Sequence, residues 1–218
     1  MKASDLIFQI LLPGLWDTLY MVLISTLFAV VIGFIPAIIM IITDDKGLRP
    51  NKSINRILDF SINLLRSFPF IILMIAIFPL TKLIVGTTIG KNAAIVPLTI
   101  GAAPFAARVI ESALKEVDAG IIEAAKSFGA STTQIIFKVM IKEALPSIIL
   151  GITLTVISVI GYSAMAGTIG AGGLGDIAVR YGYQRFKTDI MIYTVIILIL
   201  VVQILQSIGN FAYKKLSK

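Results

Sequence analysis

The chain contains no cysteine and no histidine. Disulfides, thiol nucleophiles, zinc sites built on those ligands and a serine–histidine triad are thereby excluded. Charge is also scarce: 14% of the 218 residues are Asp, Glu, Lys or Arg, against 57% hydrophobic ones, and the mean hydropathy is +0.97. These values lie well outside soluble averages and mark an integral membrane protein whose length suits one domain, 1–218. The net charge of +7 is dispersed between apolar runs rather than gathered with aromatics on one segment. That pattern speaks for membrane orientation and against nucleic acid. The remaining carboxylates and lysines sit mostly on loops, so no catalytic group, no metal ligand and no enzyme activity are expected of this chain.

What the chain has in abundance is long apolar stretches. An all-α fold with five spans is expected, at approximately 18–42, 57–80, 93–108, 145–166 and 190–213, each close to the roughly 20 residues a helix needs to cross hydrocarbon. Before the first, an apolar patch from Leu6 to Trp16 reads as an interfacial helix with Trp16 at headgroup level. Gly33 and Pro36 are expected to kink the first span. The second carries Arg66, which at a lipid-facing centre would cost about 2.5–3.5 kcal/mol and so points inward or snorkels. Thr81 to Asn92 reads as a polar connection. The third is rich in small residues, Gly101, Ala102, Ala103, Ala106 and Ala107, that let helices approach. Pro104 should bend it. In the fourth, Gly151, Thr155, Ser158 and Gly161 stack on one face, as a contact seam or a pore wall.

Between the third and fourth spans lies an unusually long charged connection, 118–146. Asp118 is a good N-cap, and Ile121, Ala125 and Phe128 follow at helical spacing. Gly129 ends that helix. Ser131 and Gln134 have the form of a capping box, so a second helix is expected to start there. Farther on, Gly170, Gly172 and Gly175 satisfy G-x-G-x-x-G, but no strand precedes them and no Lys-Ser or Lys-Thr follows. Dinucleotide and ATP binding are therefore excluded, and 162–182 reads as an irregular loop.

Glu123, Ala124, Ala125 and Gly129 form E-A-A-x-x-x-G, which resembles the cytoplasmic coupling loop in transmembrane subunits of ATP-binding-cassette importers. That family pattern usually has a proline thirteen residues after the glycine; here Lys142 stands there and the proline comes at Pro146. The run from Tyr162 to Phe186, YSAMAGTIGAGGLGDIAVRYGYQRF, is similar to the permease subunit of bacterial methionine importers, as are the runs from Thr18 to Gly33 and from Leu65 to Gly90. The resemblance implies a type I importer permease that moves methionine, L- and D-, by alternating access across the bacterial plasma (inner) membrane. It implies four coupling residues, Glu123, Ala124, Ala125 and Gly129, and makes Tyr162, Ser163 and Met165 candidates for the gate. For a membrane chain in general, Met165 reads first as an ordinary gap-filling methionine.

The implied partners are a cytoplasmic ATPase that carries the ATP and Mg, an extracytoplasmic substrate-binding (lipo)protein, and a second copy of the chain. Thirteen Lys and Arg fall on the side of the first loop, the coupling region and the tail, and six on the other. The positive-inside rule then puts the C-terminus in the cytoplasm and the N-terminus outside. A permease for another amino acid is the alternative within the class. An ion-coupled secondary transporter should show buried acidic residues and an internal repeat, and neither is apparent. A purely structural subunit leaves the coupling motif unexplained.

Overall fold

A computed structural model describes residues 7–217, and all regular structure among them is helical. Helix α1, Leu12–Thr43, follows directly on a π-helical turn, Ile7–Leu11. Helix α2, Lys52–Ser67, starts at Asn51, whose side-chain oxygen accepts from the Ile54 N–H at 3.2 Å. Two short helices come next, α3, Phe70–Ala76, and α4, Phe78–Val85. Helix α5, Lys91–Lys115, precedes the small α6, Ala119–Ser127. Helix α7 runs from Thr132 to Gly167 and contains a π-helical stretch, Ile135–Met140. Helix α8, Gly173–Ile177, passes into the π-helical turn Ala178–Tyr183, and α9, Thr188–Leu216, closes the chain.

Among the described residues, α1, α5, α7 and α9 are each long and apolar enough to cross a membrane, and α2 and α3 qualify only as a pair. Helix α5 is central, with 61% of its most apolar stretch buried, whereas α9 is peripheral, with 11%. Contacts between these rods are made by small residues, because lipid removes the hydrophobic drive for helices to associate. Ala102, Ala103, Ala106 and Ala107 of α5 are all buried. Gly33 of α1 lies on them: a Cβ there would come within 2.7 Å of the Ala103 carbonyl oxygen and 2.8 Å of the Ala107 nitrogen.

Several elements depart from the expected pattern. The stretch expected as one second span, 57–80, is broken between Ser67 and Phe70, where α2 and α3 meet at a bend of 99°. Pro69 is the cause, since it has no N–H to continue the ladder and forces the preceding residue out of the helical region; Phe68 is extended at φ −74°, ψ 127°. The expected polar connection from Thr81 onward is still helical as far as Val85, and Thr81 is buried. The N-terminal patch is not a separate interfacial helix over its described part, because it is continuous with α1; residues 1–6 lie outside the described ones. Helix α1 runs through Pro36, and α5 through Pro97 and Pro104, without a break in the helix.

The segment expected as an irregular loop over 162–182 is mostly helical and largely internal. Gly173, Leu174, Gly175 and Ile177 are buried, and α8 packs on α1 and on the end of α7. The Leu174 N–H donates to Thr18 Oγ1 at 2.8 Å, and Thr18 Oγ1 donates in turn to the Gly14 carbonyl at 2.9 Å. The glycines of G-x-G-x-x-G serve this packing: Gly170 and Gly172 have φ of +91° and +83°, and a Cβ on Gly175 would collide with the Ala164 backbone. Of the seam on α7, Gly151 abuts Val109 of α5 and Thr155 is buried, whereas Gly161 is exposed with open space around it. The seam is therefore a helix contact at one end and a free face at the other.

Gly33→Val is expected to destabilise the chain by about 1–3 kcal/mol, because the atoms it meets are backbone and cannot rotate away. Gly161→Ala, with nothing within 4 Å of the added carbon, is expected to leave stability unchanged or slightly raised. Thermal unfolding in detergent checks both; equal effects would contradict the close α1–α5 crossing.

Candidate functional site

The connection between α5 and α7 is built as two capped helices. The Asp118 carboxylate accepts from the Gly120 N–H at 2.7 Å and opens α6. At the other end Phe128 is followed by Gly129 at φ +76°, where an added Cβ would meet nothing within 4 Å. Glycine is required there by backbone conformation and not by space. Then α7 opens on the capping box: the Gln134 N–H donates to Ser131 Oγ at 3.3 Å, and the Ser131 N–H donates to Gln134 Oε1 at 2.8 Å. Lys142, in the place of the usual proline, lies inside an unbroken helix. The expected fourth span and the second helix of the connection are thus one rod of 36 residues.

No residue of α6 is buried. One side, with Ile122 and Ala125, leans on the apolar group formed by Leu114, Val117, Ile135, Ile136 and Met140. Glu123, Ala124 and Lys126 are exposed on the other side, and Ala125 is half-buried. Phe128, expected on the inward apolar side, is 91% exposed. The chain leaves the helix at that residue, at φ −79°, ψ 5°, so helical spacing no longer decides where its ring goes. A cavity of about 380 Å³ opens beside α6, with Ile41, Leu48, Leu114, Lys115, Ile122 and Met140 among its walls.

Beneath this connection lies a charge network that composition alone did not reveal. The Glu111 carboxylate, 2% exposed, is held by Arg108 at 2.8 Å and by Lys115 at 2.8 Å. Arg108 also reaches Asp59 of α2 at 2.6 Å, and Lys115 reaches Asp44, just past α1, at 3.0 Å. The Lys115 ammonium thus lies between two carboxylates, those of Glu111 and Asp44. The Asp44 carboxyl is held below its usual value by the Lys46 N–H first and by Lys115 second. The ends of α1 and α5 are therefore tied to the middle of α2 next to α6, and Glu116 extends the tie to α7 by accepting from Ser147 at 2.8 Å. The signal was in the sequence: Arg108, Glu111 and Lys115 stand at i, i+3 and i+7, the spacing that puts a cation on either side of a helical carboxylate.

At the other end of α7 the three candidate gate residues separate. Ser163 is buried and its hydroxyl donates to the Ile160 carbonyl at 2.8 Å, within its own helix. Met165 is 46% exposed. Tyr162 is half-buried and stacks on Phe70 of α3, with ring centroids 4.6 Å apart and planes 11° from parallel.

Long apolar rods joined through small residues, with an exposed helix set out between α5 and α7, define a multi-span membrane permease. The chain belongs to the family described as "Binding-protein-dependent transport system inner membrane component", which matches residues 29–218. It is 54% identical over 202 residues to a probable D-methionine transport system permease protein MetI of Vibrio cholerae, covering 93% of this chain and 90% of that one. It is 47% identical over 172 residues to the methionine import system permease protein MetP of Bacillus subtilis, covering 79% and 78%. A solved structure described as showing inward facing conformations of the MetNI methionine ABC transporter superposes with a TM-score of 0.96 at 39% identity, over 100% of both chains. An amino acid ABC transporter with histidines shares the fold at a TM-score of 0.77 and 20% identity, over 94% of this chain and 92% of that one.

Replacing Arg108 and Lys115 together by Met leaves the buried Glu111 carboxylate without a cation and is expected to cost about 3–5 kcal/mol. Adding Glu111→Leu should recover most of that loss. Detergent-phase unfolding temperatures check the series, and absence of recovery in the triple variant would show that the network is not organised on Glu111.

Proposed function

We propose that the chain is the transmembrane subunit of an ATP-driven importer that moves methionine across the plasma membrane by alternating access, in line with the relatives it resembles. The observation that carries the coupling role is α6 itself: a capped helix with no buried residue, presenting Glu123, Ala124 and the ring of Phe128 outward. Such a helix is completed by another protein. In this reading an ATPase on the cytoplasmic side, carrying the ATP and Mg, receives α6 in a groove. Glu123 meets a basic residue there, Ala124 and Ala125 permit close approach, and Gly129 sets the corner. Phe128 joins them as an apolar anchor, since exposed aromatics of this kind carry much of the energy of small interfaces.

One short helix buries too little for a firm interface, so a pair of these chains would bind a pair of linked ATPases and gain by effective concentration. The cargo path runs along the axis the two copies share, and cargo is delivered by a substrate-binding protein on the outer side. The distribution of Lys and Arg supports a cytoplasmic C-terminus and an N-terminus outside. Both enantiomers of methionine are included in the proposed cargo. Glu111, the buried acid near the end of α5, is matched by two cations. It therefore offers no free carboxylate for ion coupling, which leaves the secondary-transporter reading without its key feature.

Glu123→Arg is expected to abolish methionine uptake in reconstituted vesicles while the chain keeps its unfolding temperature and the ATPase keeps its basal hydrolysis. Phe128→Ala should weaken ATPase retention on the purified chain by about tenfold or more. Normal uptake by the Glu123 variant would refute the coupling assignment.

A further inference from the structure

Helix α2 is two-faced: Ile57, Phe60 and Leu64 lie exposed along one side, and the opposite side is polar. Lys52, Arg56, Asp59, Asn63 and Arg66 recur every three or four residues along its 16 positions and form one polar stripe. None of the five is buried. A stripe of this kind within a membrane bundle faces water rather than hydrocarbon. Its middle is internally matched: Arg108 contacts Asp59 at 2.6 Å and Asn63 Oδ1 at 3.1 Å. Its last charge is not, because Arg66 has no hydrogen-bonding or charged partner among the described residues.

Arg66 stands where the stripe stops at the 99° bend. There it lines a cavity of about 160 Å³ together with Phe68, Phe70, Gly101, Phe105 and Tyr162. Gly101 makes room for this wall, since a Cβ on it would come within 3.0 Å of the Phe70 ring that Tyr162 stacks upon. A guanidinium beside stacked aromatics has the two chemistries an apolar amino acid presents. Its fork takes a carboxylate through paired charge-assisted bonds, and aromatic faces and edges take an aliphatic or thioether side chain. Snorkelling, or a favourable place at the C-terminal end of α2, accounts for a charge at this position but not for the cavity and the aromatic stack beside it.

We infer that Arg66 is the carboxylate-holding residue of the cargo path, with Phe68, Phe105 and Tyr162 receiving the cargo's apolar side chain as it passes. The ligand class is an α-amino-acid zwitterion with an apolar side chain, held transiently. The cavity is smaller than the roughly 300 Å³ at the low end of whole small-molecule sites, which suits a holding point for a small cargo in transit rather than an enclosing site. This inference deepens the importer reading and rests on it.

The test uses the purified chain with its ATPase, treated with an arginine-directed dicarbonyl reagent and mapped by mass spectrometry. Methionine is expected to protect Arg66 and not Arg49, and methioninamide, which lacks the carboxylate, to protect neither. In vesicles, Arg66→Gln should lower methionine transported per ATP hydrolysed by about tenfold or more, with binding-protein-stimulated hydrolysis within about twofold of the unaltered complex. Arg66→Lys should recover part of it. Equal protection by the amide, or unchanged transport per ATP in Arg66→Gln, overturns the inference. So does an Arg66→Gln loss confined to unfolding temperature, which is what a purely helix-capping arginine gives. Protection by other apolar amino acids but not by methionine would leave the carboxylate role standing and overturn the choice of methionine as cargo.

Discussion

Hydrocarbon offers no partner to a free N–H or C=O, and this constraint shapes every irregularity in the bundle. A helix can stop inside the membrane only where something else covers its end. At the α2–α3 bend Pro69 has no N–H to leave orphaned, and its carbonyl is taken by the N–H groups of Ile72 and Leu73, both at 3.0 Å. Where α7 ends, the Ala171 N–H returns to the Ala166 carbonyl at 3.1 Å and the Gly170 carbonyl accepts from the Gly90 N–H at 2.9 Å. Thr18 of α1 then takes the Leu174 N–H. The glycines that allow these returns are the ones a pattern search would assign to phosphate binding. Here they let one backbone lie on another.

The same economy produces a mechanical layout. Helix α7 spans 36 residues, about 54 Å of continuous helix, from the capping box beside α6 to the neighbourhood of Tyr162. If α6 is the coupling helix proposed above, its displacement would reach the far side of the bundle through one rod, not through a series of loops. Two features set how it is passed. The π-helical stretch Ile135–Met140 sits close to α6, where a change of helical register is easiest. The network around Glu111 ties the ends of α1 and α5 to the middle of α2, so they are held as a group.

Much of this was legible in the sequence because the signals were local. The caps at Asp118, Ser131 and Gln134 involve residues within three positions of each other, and each forms as its residue types dictate. Apolar length located the long rods. What the sequence did not disclose depends on distant partners or on the ends of elements. Helical periodicity points Phe128 inward, but the helix ends one residue before it. Arg66 looked like an inconvenience in a span, since the polar stripe it completes has meaning only once Pro69 is known to turn the chain. The buried half of the glycine-rich segment has the composition of a loop, because nothing in it names Thr18 as the acceptor of the Leu174 N–H.

The central claim is that α6 lies on the cytoplasmic face, where an ATPase can drive it. The absence of cysteine makes this directly measurable, since Lys126→Cys introduces a single thiol. A membrane-impermeant maleimide added to intact cells is expected to leave Cys-substituted position 126 unlabelled until the membrane is permeabilised, while Lys187→Cys, beyond α8, is labelled at once. Labelling of position 126 in intact cells would put the lever on the wrong side and contradict the coupling of this chain to nucleotide hydrolysis.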